Sequence, residues 1–141
     1  MTGINEVAKQ IHDNAVAHGW WDEPRSFAEI MALCVSELGE ALEEDRAGRP
    51  AVWFKCLPTD VFAGCENMTH CESANSKLGC VKMDTKCPYR DDKPEGIAVE
   101  MADCIIRILD WAGQAGVDME AIILAKHEYN KGRPYKHGKK Y

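Results

Sequence analysis

The sequence predicts an all-α protein, a four-helix bundle interrupted by one irregular, cysteine-rich insert. Apolar residues recur at helical spacing in four separate stretches. Cap and stop residues bracket those stretches, and no segment shows convincing strand alternation. At 141 residues the chain fits a single domain, 1–141, with 49–96 as an insert within it. Its 45% hydrophobic content allows a modest core, which dimerisation would reinforce.

The first helix is expected from Ile4 to His18, where Ile4, Val7, Ala8, Ile11 and Ala15 fall on one side. "GWWDEPR" then reads as a loop. Ser26 with Glu29 three residues later is a capping box, so a second helix starts there. It should run to Ala47, with Gly48 and Pro50 as stop signals. Its apolar stripe is Phe27, Ile30, Met31, Cys34, Leu38, Ala41 and Leu42, and Glu37, Glu40 and Glu44 share a neighbouring face. From Arg49 to Gly96 the periodicity fails. It resumes from Ile97 to Ala112, where Gly113 and Gly116 are read as the end of a third helix. Asp118 can cap a fourth, reaching Asn130 before Gly132 and Pro134.

Charge and hydropathy exclude some functions. No apolar run approaches the roughly 18 residues of a membrane span, and the N-terminus lacks the basic-then-apolar plan of a signal peptide. The expectation is a soluble, cytoplasmic protein without a membrane partner. A formal charge of −6 argues against nucleic acid as a partner, because generic binding rests on a basic field. The exception is the tail from Lys126 to Tyr141, with six Lys/Arg in sixteen residues.

Glu37-x-x-Glu40 and Glu100-x-x-Asp103 are both i, i+3 pairs, which lie side by side on a helix. If the second and third helices pack antiparallel, the pairs can face one another and put four carboxylates in one pocket. Four such anions require a cation, and oxygen-only ligands select a hard ion, Mg²⁺ or Mn²⁺. One pair alone would read as a solvated face. Glu100 and Asp103, however, interrupt "VEMADCIIRILDWA", where charges border apolar surface and need partners or a metal. Di-iron chemistry needs Glu-x-x-His pairs, and no Glu here precedes a His by three. Near the C-terminus Lys126, Asn130, Arg133 and Tyr135 can form a phosphate clamp. The bland alternative is cations that complement a helix C-terminus.

"ALCVSELGEALEEDRAG", "KPEGIAVEMADCIIRILDWAG" and "KHEYNKGRPYKHGKKY" together resemble the MazG-like branch of the all-α NTP pyrophosphatase superfamily. The likeness covers the second, third and last helices with the tail, and the ordered set E-x-x-E, E-x-x-D, K-x-x-x-N-x-x-R is far more specific than either acidic pair. The resemblance implies a MazG-type bundle that hydrolyses nucleoside triphosphates, NTP or dNTP, between the α and β phosphates with Mg²⁺. It implies Glu37, Glu40, Glu100 and Asp103 as metal ligands, and Lys126, Asn130, Arg133 and Tyr135 as substrate-binding residues. It also implies a homodimer or homotetramer. A glutamate of the second helix, Glu37 or Glu40, would be the general base. Trp20 and Trp21 are candidates to stack on the base, with packing over the bundle as the equal alternative.

Between Glu40 and Glu100 lie 59 residues, more than that superfamily's usual separation. Five of the seven cysteines fall there: Cys56, Cys65, Cys71, Cys80 and Cys87. A structureless loop of this length is unusual. A structural Zn²⁺ held by Cys65, Cys71, Cys80 and Cys87, or by three thiolates with His70, would organise it. The spacing contains no C-x-x-C knuckle, and thiols in a packed subdomain, disulfides or an iron–sulfur cluster stay open. The insert motivates a second functional expectation, a non-catalytic metal-binding interaction protein that acts through the cysteines.

Overall fold

The computed structural model describes residues 3–56 and 90–138. They form α1 (Ile4–Ala17), α2 (Phe27–Arg46), β1 (Trp53–Cys56), β2 (Arg90–Glu95), α3 (Ile97–Ala115) and α4 (Met119–Lys131), with a 3₁₀ turn at Tyr135–Gly138. The described residues are mostly helical, as expected. It divides into two units, Met1–Ile30 with Ile106–Tyr141 and, separately, Met31–Ile105. None of the helices among the described residues is long and apolar enough to cross a membrane.

The helix boundaries follow local chemistry. Glu29 N donates to Ser26 Oγ at 3.2 Å and Ser26 N donates to the Glu29 carboxylate at 2.7 Å, the reciprocal bonds of a capping box. The backbone N–H of Ser26, then its hydroxyl, with Arg25 nearby, hold the Glu29 carboxyl below its usual range. Asp118 accepts from Ala121 N at 2.9 Å and from Asn5 at 2.7 Å, which caps α4 and ties it to α1. At the other end of α2, Arg49 N donates to Glu44 O and Gly48 N to Asp45 O, the two bonds of a Schellman motif. Gly116 ends α3 in the same way, with Val117 N on Ala112 O.

Two expectations need correction. Gly113 does not stop the third helix, which continues to Ala115. A Cβ at Gly113 would lie 2.6 Å from the His12 Cβ, so glycine is there to let α1 approach closely within the first unit. The expected lack of strands is also overturned. β1 and β2 pair antiparallel, Trp53 opposite Glu95, Phe54 opposite Pro94 and Cys56 opposite Arg90. The sequence of β2, "RDDKPE", has neither alternation nor β-branched residues. Pairing with β1 and the burial of Phe54 make it a strand, where intrinsic preference would not.

In the first unit Ala8, Ile30, Leu109 and Ala112 are buried. Asp110 gathers two neighbours there: His12 Nδ1 lies 2.8 Å from its Oδ1, and Trp21 Nε1 donates to the same carboxylate at 2.9 Å. In the second unit the buried set is Cys34, Ala41, Phe54 and Cys104, joined by two acidic residues, Glu37 and Glu100. Cys34 and Cys104 are core thiols, as expected, and the Cys34 Sγ lies 3.9 Å from the Cys104 carbonyl oxygen.

Candidate functional site

The second unit brings Glu37 of α2 together with Glu100 and Asp103 of α3. One carboxylate oxygen from each lies within 4.8 Å of the others. Helical spacing puts Glu100 and Asp103 on one face, and the antiparallel register that sets Cys34 against Cys104 sets Glu37 against Glu100.

The electrostatics at Glu100 are unfavourable without a cation. Glu37 and Glu100 are 5% and 7% exposed, and burial of a carboxylate is costly unless something compensates it. Burial, followed by the charges of Glu40, Asp103, Glu37 and Glu95, pushes the Glu100 carboxyl above its ordinary range. Among the described residues no side chain donates a hydrogen bond to it. Its place in the first turn of α3 puts it near the positive end of the helix dipole, a partial offset. An all-oxygen donor set of this kind, two carboxylates buried and Asp103 half-buried, fits Mg²⁺ or Mn²⁺.

Glu40 stands beside this cluster. It is exposed and accepts from Ser36 Oγ at 3.5 Å, yet its charge is the largest electrostatic influence on Glu100. The third acidic residue of α2, Glu44, has another task. It accepts from Trp53 Nε1 at 2.7 Å, while the Arg49 guanidinium sits 4.1 Å from the Trp53 ring centroid. That stack fixes the root of the β1–β2 ribbon.

The expected phosphate residues belong to the first unit. Lys126 and Asn130 are exposed on α4, and the Lys126 ammonium lies 4.9 Å from the Tyr129 ring centroid. Arg133 follows α4, and Tyr135 begins the 3₁₀ turn and is 87% exposed. Trp21 is tied to Asp110 and meets the His12 ring edge-on at 5.5 Å. Trp20 is exposed, with the Arg25 guanidinium 5.2 Å from its ring. Cys65, Cys71, Cys80, Cys87 and His70 lie outside the described residues, and with them the zinc expectation.

Sequence reasoning missed two residues of this region, Lys93 and Glu95. They are joined at 2.9 Å, and Glu95 contributes to the field on Glu100. Their only signal is position: "KPEG" abuts the third helix, inside the span that the sequence reads as insert. No family model matches the chain, and no curated protein or solved structure matches it either.

Proposed function

We propose that this chain is a Mg²⁺-dependent nucleoside triphosphate pyrophosphohydrolase, which cleaves NTP or dNTP between the α and β phosphates to the monophosphate and pyrophosphate. The observation that carries the reading is the cluster of Glu37, Glu100 and Asp103, with Glu100 buried and, among the described residues, no side-chain hydrogen-bond donor to it. The ordered acidic pairs and the K-x-x-x-N-x-x-R run of the sequence support it.

Glu37, Glu100 and Asp103 would hold the ion. When bound, Mg²⁺ would neutralise phosphate charge and make a water more acidic. Glu40, close in charge to the cluster but exposed, is assigned as the general base that takes the proton of the attacking water. Lys126, Asn130 and Arg133 are assigned to the triphosphate, where cations offset charge developing on the departing pyrophosphate. Positioning and electrostatics carry most of such chemistry, so a small residue set suffices. The reading includes a cytoplasmic setting and a homodimer or homotetramer. Val35, Leu38 and Leu42 on α2, with Met101 and Ile105 on α3, are between 48% and 67% exposed and suit a second copy.

A product assay with Mg²⁺ and a panel of NTPs and dNTPs, run beside Glu100→Gln, tests the proposal. Pyrophosphate and monophosphate from the wild type, lost in the variant, are expected. Folded, metal-loaded protein that cleaves no nucleotide would overturn it, as would release of orthophosphate alone.

A further inference from the structure

The second strand of the ribbon, which precedes the helix that bears Glu100 and Asp103, carries a cation, Lys93. Residues two apart on a strand share a face, so Lys93 and Glu95 project together from β2, joined Nζ to Oε1 at 2.9 Å. β2 leads through Gly96 straight into the first turn of α3, which carries Glu100. The Lys93 ammonium feels Glu100 and Asp103 as well as Glu95, and Glu95 in turn acts on Glu100. Gly96 follows directly, and its carbonyl accepts from Glu100 N at 3.1 Å, so β2 and the first turn of α3 are one continuous piece of backbone.

An exposed Lys–Glu pair contributes little to stability on its own, and the Lys93 side chain is 69% exposed. Its position gives it a use. A triphosphate arriving at Glu37, Glu40, Glu95, Glu100 and Asp103 meets strong like charge, which one divalent ion offsets only in part. A lysine on a flexible stem, with three donors and a carboxylate that holds it nearby, can exchange that partner for a phosphate oxygen.

Building on the proposed function, we propose that Lys93 is a phosphate-binding residue of this site, parked on Glu95 until a polyphosphate–Mg²⁺ complex arrives. The ribbon at the mouth of the insert thereby supplies part of the substrate site. Lys93 compensates the substrate and not the metal, which fixes the sign of each effect below.

Calorimetry with inorganic triphosphate and Mg²⁺, which needs no choice of base, tests this beside titration with Mg²⁺ alone. Lys93→Gln should weaken triphosphate binding about tenfold, the scale of one charge-assisted hydrogen bond at a part-exposed site. Its affinity for Mg²⁺ alone should be equal to or tighter than that of the wild type. Lys93→Arg should restore triphosphate binding to within about threefold, since it keeps charge and donors. A wild type that binds both probes while Lys93→Gln matches it within twofold overturns the role of Lys93 and leaves the carboxylate site standing. Weaker Mg²⁺ binding by Lys93→Gln also overturns it, because a lost cation cannot hinder a cation. A wild type that takes up neither probe overturns the proposed function, and this inference with it.

Discussion

Trp53 Nε1 donates to the Glu44 carboxylate at 2.7 Å, and Arg49 lies across the same indole ring. The end of α2 and the start of β1 are thereby locked together. Gly96 closes the arrangement from the other strand. Its φ is +112°, and an added Cβ would sit 2.8 Å from the carbonyl oxygens of Pro50 and Ala51. Gly96→Ala should cost about 2–3 kcal/mol through strained backbone and steric conflict. Trp53→Phe, which keeps an aromatic ring of smaller size and loses the donor, should cost about 1–2 kcal/mol. Urea denaturation of each variant measures both.

Mg²⁺ should stabilise the folded protein. At ten times its dissociation constant an ion that binds only the native state adds about 1.4 kcal/mol, or about 3–6 °C in Tm for a domain of this size. Glu100→Gln should abolish that increment.

The same residue sets a pH dependence in metal-free protein. Glu100 is pushed above its ordinary range, so the native state holds its proton more tightly than the unfolded chain does. Stability should fall as pH rises from the ordinary carboxylate range through the raised value, and the loss is complete above it. Glu100→Gln should remove this component and raise metal-free stability at neutral pH. Denaturation across pH without metal tests both statements.

Glu37 and Glu40 are equivalent in the sequence and distinct in the fold. Glu37 is buried in the three-carboxylate group, whereas Glu40 is exposed beside it. Glu37→Gln should lose both Mg²⁺ binding and turnover. Glu40→Gln should keep Mg²⁺ binding and lower kcat about 10²–10⁴-fold, the range for loss of a general base. Calorimetry paired with steady-state kinetics separates the two.

The exposed apolar residues of α2 and α3 make a further expectation. Leu38→Glu, at a side chain half exposed in one copy, should shift sedimentation toward the monomer. An unchanged sedimentation coefficient would remove this face from the assembly.

The helices were legible in the sequence because their signals are local. A capping box at Ser26 and Glu29, an Asp at 118 and apolar residues at helical spacing act within a few residues of one another. Glu37, Glu100 and Asp103 were legible as candidates for the same reason, since two i, i+3 pairs announce shared helical faces. The β1–β2 ribbon was not. "RDDKPE" becomes a strand through partners more than thirty residues earlier, and no local preference reports that pairing.

The sequence by itself determined where the four helices begin and which acidic side chains can share a face. Only the tertiary structure decided how the glutamates of α2 divide: Glu37 into the cluster, Glu40 beside it and Glu44 onto Trp53. It alone kept Gly113 inside α3 and set Lys93 with Glu95 beside the carboxylates. The physical reason is one of range. Capping and periodicity are written in neighbouring residues, whereas burial, close approach and the field at a carboxylate depend on segments that meet only after folding.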